Sequence, residues 1–276
     1  MNNIYNKRVN CINNACNKKA KKSLGQYFLI APQIIKKTVE TAKITNEDIV
    51  LEIGPGDGAL TKELIMRAKK VIAVEKDVKL INILKQTFKK EIEKNILELI
   101  HDDILLCDFS KLKLINKSYK VVANIPYYIT GILIRTLLTN KIQPDTIVLI
   151  VQKEIAERIA RDKKESLLSL SVKAYGSPKY IGTIKPGAFR PSPKVDSAIL
   201  LIKDISRDFF IDIGEKVFFK AIKTGFSSKR KQVLNNLEKI KDKDSLIQIF
   251  NKLGIDTKIR AEDISLETWK KIISFF

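Results

Sequence analysis

Three glycines fall within five residues at Gly54-Pro55-Gly56-Asp57-Gly58, directly after the apolar run Ile49–Gly54 and directly before the helical period of Ala59–Arg67. A chain that ends a buried strand, turns this tightly and starts a helix has few folds open to it. The turn needs backbone conformations that glycine takes freely, and the strand–turn–helix order is half of a βαβ unit. The rest of the unit follows. Val71–Glu75 reads as the next strand, and Asp77–Phe88 as a helix carrying Leu80, Ile81, Leu84 and Phe88. Strand-length apolar runs recur at Ile96–Ile100, Lys120–Asn124 and Thr146–Gln152, and helical periods at Pro32–Lys43, Ile132–Leu138 and Lys153–Arg161. This alternation predicts an α/β fold, a parallel sheet covered by helices on both faces.

The pattern changes further on. Tyr180–Ile184 and Val195–Lys203 are β-rich and separated by a loop with Pro186, Pro191 and Pro193, which suggests an antiparallel pair at the sheet edge. Beyond Asp208 only helical periods remain, at Phe210–Lys223, Lys229–Leu237, Asp244–Leu253 and Ser265–Phe275. The expected organisation is therefore a basic, flexible arm over residues 1–22, a sheet domain over 23–207 and a small all-helical domain over 208–276.

Charge narrows the class of partner. Lys and Arg number 51 against 31 Asp and Glu, a formal net charge of +20. Such an excess points to a polyanion, and three segments carry it without a single acid: residues 1–22, Lys173–Lys194 and Lys220–Lys231. Acid-free stretches in separate parts of one chain suit phosphate contacts that position a long nucleic acid. Lys194, Lys229, Arg230 and Lys231 are the candidate RNA-backbone contacts. No apolar run approaches the roughly 18 residues that a membrane helix needs, so no membrane role is expected. Residues Met1–Lys22 lack the apolar core of a secretory signal. Three cysteines and one histidine, His101, offer little for disulfides or zinc, so a cytoplasmic, metal-independent protein is expected. His101 itself reads as a solvated or structurally paired side chain.

The glycine turn predicts an adenosine-type ligand. Glu75 ends the next strand, 21 residues after Gly54, where its carboxylate can accept from both ribose hydroxyls. Asp102 and Asp103 follow the third strand, within reach of an adenine amino group. The same spacing fits a dinucleotide fingerprint, so the turn alone leaves NAD and S-adenosylmethionine open. Glu52 ahead of the glycines favours the latter, because Glu-x-Gly-x-Gly-x-Gly resembles the form usual in S-adenosylmethionine-dependent methyltransferases.

Asn124-Ile125-Pro126-Tyr127 decides between them. The exocyclic amine of adenine is a weak nucleophile because its lone pair is delocalised into the ring. Hydrogen bonds from that amine to the Asn124 side-chain oxygen and to the carbonyl of Ile125 or Pro126 would localise the pair. Pro126 stiffens the turn, and Tyr127 offers a stacking face for the base.

At this point the chain resembles the bacterial small-subunit ribosomal RNA adenine-N6,N6-dimethyltransferases. The resemblance rests on Lys22-Ser23-Leu24-Gly25-Gln26-Tyr27-Phe28-Leu29, the glycine turn, Asn124-Ile125-Pro126-Tyr127-Tyr128-Ile129-Thr130 and Gln152-Lys153-Glu154. It continues through Ala188-Phe189-Arg190-Pro191-Ser192-Pro193-Lys194-Val195-Asp196-Ser197, Phe226-Ser227-Ser228-Lys229-Arg230-Lys231, Leu253-Gly254-Ile255 and Arg260-Ala261-Glu262. It implies a Rossmann-like S-adenosylmethionine-dependent methyltransferase sheet with a small helical C-terminal domain. The implied activity is dimethylation of two adjacent adenines near the 3′ end of 16S rRNA in the immature small ribosomal subunit, by a monomer. By position the resemblance puts Tyr27, Leu29, Gly54, Glu75, Asp103 and Asn124 on the cofactor site. It assigns Asn124, Pro126 and Tyr127 to catalysis, and Phe189 to the other face of the flipped adenine. One departure stands out: the family usually has Gln-Asn-Phe-Leu where this chain has Gln26-Tyr27-Phe28-Leu29. Two neighbouring readings remain: a large-subunit rRNA adenine-N6 methyltransferase of the macrolide-resistance type, and a non-catalytic RNA-binding assembly factor on the same fold. Arg260-Ala261-Glu262 favours the small-subunit group, and an intact glycine turn with Asn124 favours an enzyme.

Overall fold

The β-branched runs of the first half pair side by side, as buried parallel strands with apolar faces on both sides must. The computed structural model describes residues 26–276 and divides them into two units. The expected N-terminal arm over 1–22 lies outside the described residues, as does the Lys22–Gly25 part of the first motif.

The first unit takes residues up to Ala156 together with Lys179–Lys203. It opens with β1 (Phe28–Leu29), α1 (Pro32–Thr41), β2 (Ile49–Ile53), α2 (Ala59–Ile65), β3 (Lys70–Glu75), α3 (Val78–Thr87) and α4 (Lys89–Glu93). Then come β4 (Leu97–His101), β5 (Tyr119–Asn124), α5 (Thr130–Thr139), β6 (Thr146–Gln152) and α6 (Lys153–Ala160), which runs into the second unit. The remaining strands are β7 (Ser177–Ile184), β8 (Phe189–Arg190) and β9 (Ser197–Lys203). Seven of them form one sheet in the order β4-β3-β2-β5-β6-β9-β7. β2, β3, β4, β5 and β6 are parallel, and β9 runs antiparallel to β6 with Gln152 opposite Ser197.

From β2 the chain winds outward through β3 and β4, then returns to lay β5 on the other flank of β2. This reversal opens a crevice at the carboxyl ends of β2 and β5, where open α/β sheets hold their ligands. Gly54 follows β2, and Asn124 is the last residue of β5. Pro32 starts α1 as expected of a first-turn proline, and the Asp77 side chain caps α3 by accepting from the Lys79 N–H. Two short elements were not legible: β1 and β8 pair antiparallel, Leu29 opposite Phe189, as a separate two-stranded sheet.

The second unit takes Glu157–Pro178 and Asp204–Phe276, so residues 157–178 group with the helices rather than with the expected sheet domain. It holds α7 (Leu167–Lys173), α8 (Glu215–Gly225), α9 (Val233–Leu237), α10 (Lys243–Lys252) and α11 (Leu266–Ile273). Its core is aromatic. The Phe210 ring lies 4.9 Å from that of Tyr175 in a tilted contact and 5.5 Å from that of Phe218 in an edge contact, and Trp269 is fully buried against Phe226. The Lys229-Arg230-Lys231 run forms a turn, and the helix begins only at Val233. Three adjacent cations oppose the positive end of a helix dipole, which accounts for the late start. Among the described residues no helix is long and apolar enough to cross a membrane.

Candidate active site

Gly54 and Gly58 show why the turn needs glycine. Gly58 caps α2 in the left-handed region at φ +82°, and a Cβ there would lie 2.6 Å from the Phe88 ring. Gly54, at φ +67°, would point a Cβ at open space, with nothing within 4 Å. That opening is the floor of a cavity of about 380 Å³ lined also by Glu75, Asp102, Asp103, Leu105 and Tyr128. A smaller recess beside it shares Gly54 and Glu75 and is lined by Tyr27, Leu29, Glu52, Asn124, Pro126 and Tyr127. The two recesses together bring every expected cofactor residue to one crevice.

The acids differ in how they are held. Glu75 is only 6% exposed. Its two oxygens accept from the N–H groups of Asp77 at 2.8 Å and Gly56 at 3.2 Å, tying the β3 end to the glycine turn. Burial raises its carboxyl above the ordinary range, while those backbone donors pull it back down. Each oxygen keeps further acceptor capacity for a ligand hydroxyl. Asp103 accepts from the Leu105 N–H at 3.0 Å and pairs with Lys76 at 2.7 Å, and that hydrogen bond holds its carboxyl below the usual range. His101 sits opposite Glu75 in the β3–β4 register, and its Nε2 lies 3.2 Å from the Lys76 carbonyl, a structural pairing as expected.

Glu52 is the orphan of the site. It is 1% exposed, and neither carboxyl oxygen has a hydrogen-bond partner. Burial pushes its carboxyl up to about 8 against the pull of the nearby Thr61 hydroxyl, and the like charges of Asp57 and Glu75 add to the rise. Asp57, also buried, is pushed up to about 6. A folded-state value above the unfolded one means that stability is fully present below about pH 4.5 and is lost as pH rises to about 8. Glu52→Gln removes that titration. The variant is therefore expected to match the parent near pH 5 and to exceed it by on the order of a few kcal/mol at pH 8–9, read by unfolding of the ligand-free protein across pH. A constant difference across that range would refute the assignment.

The Asn124 loop faces the glycine turn. Asn124 Nδ2 donates to the Tyr27 carbonyl at 2.8 Å, which assigns the amide orientation and leaves Oδ1 as the acceptor. Pro126 starts a 3₁₀ turn, and its carbonyl accepts from the Ile129 N–H at 3.2 Å. The Tyr27 ring stacks on Tyr127 with centroids 5.5 Å apart and planes 30° apart. The Tyr127 hydroxyl lies 2.6 Å from the Ser197 hydroxyl, and burial pushes the phenol above its usual value, so the ring stays neutral.

Phe189 was expected on the other face of the flipped adenine. Its backbone reaches the site through the β1–β8 pairing, but its ring is 3% exposed, packs in the hydrophobic core and lines neither recess. Its side chain belongs to the same core cluster as Leu29, Ile184 and Ile199. Lys194 is exposed in the first unit, and Lys229, Arg230 and Lys231 are exposed in the second. Ser197 and Asp57 went unassigned in the sequence. Ser197 ends the Ala188–Ser197 motif, but only the fold reveals that it reaches Tyr127.

Comparison with known proteins gives the family. A family model described as ribosomal RNA adenine dimethylase matches residues 17–276. Among curated relatives, the ribosomal RNA small subunit methyltransferase A of Dehalococcoides mccartyi is 42% identical over 257 residues, covering 92% of this chain and 87% of the relative. Its namesake from Clostridium botulinum is 40% identical over 258 residues, covering 92% and 93%. Among solved structures, a dimethyladenosine transferase from Plasmodium falciparum superposes with a TM-score of 0.75 at 29% identity, covering 89% of this chain and 95% of that one. The 23S rRNA methyltransferase ErmE gives 0.73 at 23% identity, covering 89% and 98%, a likeness of fold.

Proposed function

The chain belongs to the ribosomal RNA adenine dimethylase family, and from that premise we propose that it dimethylates the N6 amines of two adjacent adenines in the 3′-terminal hairpin of 16S rRNA, using S-adenosylmethionine. The observation that carries this reading is the Asn124 amide, fixed by the Tyr27 carbonyl with its oxygen free and set across the crevice from the glycine turn.

The residues fit the cofactor. Open space above Gly54 admits a close approach, Glu75 would take the ribose hydroxyls, Asp103 the adenine amine, and Leu29 adds an apolar wall. When bound, S-adenosylmethionine supplies an electrophilic methyl group and departs as a neutral thioether. The protein's own task is then orientation. Asn124 Oδ1 accepts from the target amine, and the carbonyl of Ile125 or Pro126 is the second acceptor, that of Pro126 with one lone pair already given to the Ile129 N–H. Tyr127 offers the base a face. No group in this set is required as a strong base.

Immature small subunits are the proposed substrate, and the relatives named for the small subunit favour it over the large-subunit alternative. We place the protein in the cytoplasm as a monomer. Labelled methyl transfer to immature small subunits, with large subunits as the control, tests the assignment. Preferential labelling of large subunits would overturn it.

The exposed cations give a second handle. Neutralising Lys229, Arg230 and Lys231 together is expected to flatten the salt dependence of particle binding by about one log–log unit per lost phosphate contact. Affinity of the free protein for S-adenosylmethionine should not move. An unaltered salt slope would return these residues to ordinary surface.

A further inference from the structure

Tyr127 is held at two places by residues that no sequence motif assigns to it. Tyr27 covers one face of its ring at 5.5 Å, and the Ser197 hydroxyl meets its phenolic oxygen at 2.6 Å. Ser197 is fully buried at the first position of β9, registered against Gln152 at the carboxyl end of β6. Its hydroxyl is thus anchored on the sheet and not on a loop. A phenol stacked on one face and bonded at its far end has little freedom left in either side-chain torsion. Among the described residues this stacking leaves the face opposite Tyr27 as the one to offer a base.

We propose that Tyr27 and Ser197 are positioning residues that clamp Tyr127 and fix the plane on which the target adenine stacks. This rests on the reading of Tyr127 as the base-stacking residue. Tyr27 has a second hold, since its carbonyl orients the Asn124 amide. One residue therefore registers both the stacking plane and the acceptor of the amine. The aromatic at position 27, where the family pattern has asparagine, makes this arrangement possible in this chain: an asparagine has no ring to lay on Tyr127. Orientation of this kind acts on the chemical step, because the amine must meet the methyl group along a narrow line of approach.

A double-mutant cycle tests the clamp. Ser197→Ala is expected to lower kcat by about tenfold, the scale of one lost buried hydrogen bond. The KM for immature small subunits and the affinity for S-adenosylmethionine should change by less than about twofold, since phosphate contacts dominate the former. In a Tyr127→Phe background, which lacks the hydroxyl, Ser197→Ala should cost nothing further. Tyr27→Ala should also lower kcat, and Tyr27→Phe should restore most of that loss by returning the ring. A merely structural role for Ser197 predicts that its cost persists beside Tyr127→Phe, and that outcome overturns the clamp. Tyr127→Ala separates the two levels. If transfer survives it, the stacking reading fails and the clamp falls with it. If transfer is lost but the cycle is additive, only the clamp is wrong.

Discussion

Asn124→Ala should lower methyl transfer by about 10²–10³-fold, the range seen when one preorganised hydrogen-bonding group is removed from a reacting centre. The loss has two sources. The acceptor for the target amine disappears, and the tie from Nδ2 to the Tyr27 carbonyl goes with it. Binding to small subunits should stay within about twofold, because phosphate contacts and not the base pocket set that affinity. Single-turnover transfer and filter binding on one preparation read both quantities. A variant with near-parental turnover would refute the role of the amide oxygen.

Glu75→Ala carries the next largest effect. Its carboxylate is already organised by the Asp77 and Gly56 N–H groups, so it meets a ribose with little rearrangement. Charge-assisted hydrogen bonds of this kind are worth about 2–3 kcal/mol, so S-adenosylmethionine affinity should weaken about 30- to 150-fold. Loss of the Gly56 contact also frees the turn that the ligand lies against. Calorimetric titration of the free protein measures it, and an unchanged Kd would remove Glu75 from the site.

How much of this was legible depended on range. The glycine turn, Glu75 and Asn124 could be placed because each sits at the end of a strand whose apolar run announces it, and a parallel sheet puts such ends together. The alternation predicted a parallel sheet covered by helices, but the order of its strands came only with the fold. α7 escaped notice because its cap is Ser166 answered by Ser169, where the usual signal is an acid or amide at that position. Ser197 escaped because its partner, Tyr127, is 70 residues away, and no local pattern encodes such a pairing. Phe189 is a different case, since the two-residue β8 sets its backbone beside the crevice while its side chain is buried in the core. A motif places a backbone near a site, but packing decides which side chains look into it.

The pairing of β1 with β8 has a consequence for how the enzyme is made. Leu29 and Phe189 lie 160 positions apart in the chain, yet they sit opposite each other in that small sheet beside the crevice. Contacts of such separation form late, because the intervening chain must first be brought together. On a translating ribosome the glycine turn, Glu75 and Asn124 all emerge long before Arg190 does. A nascent chain short of that residue holds the recognisable motifs without the strand that braces Leu29. The small sheet beside the crevice therefore cannot close until almost the whole first unit has been synthesised.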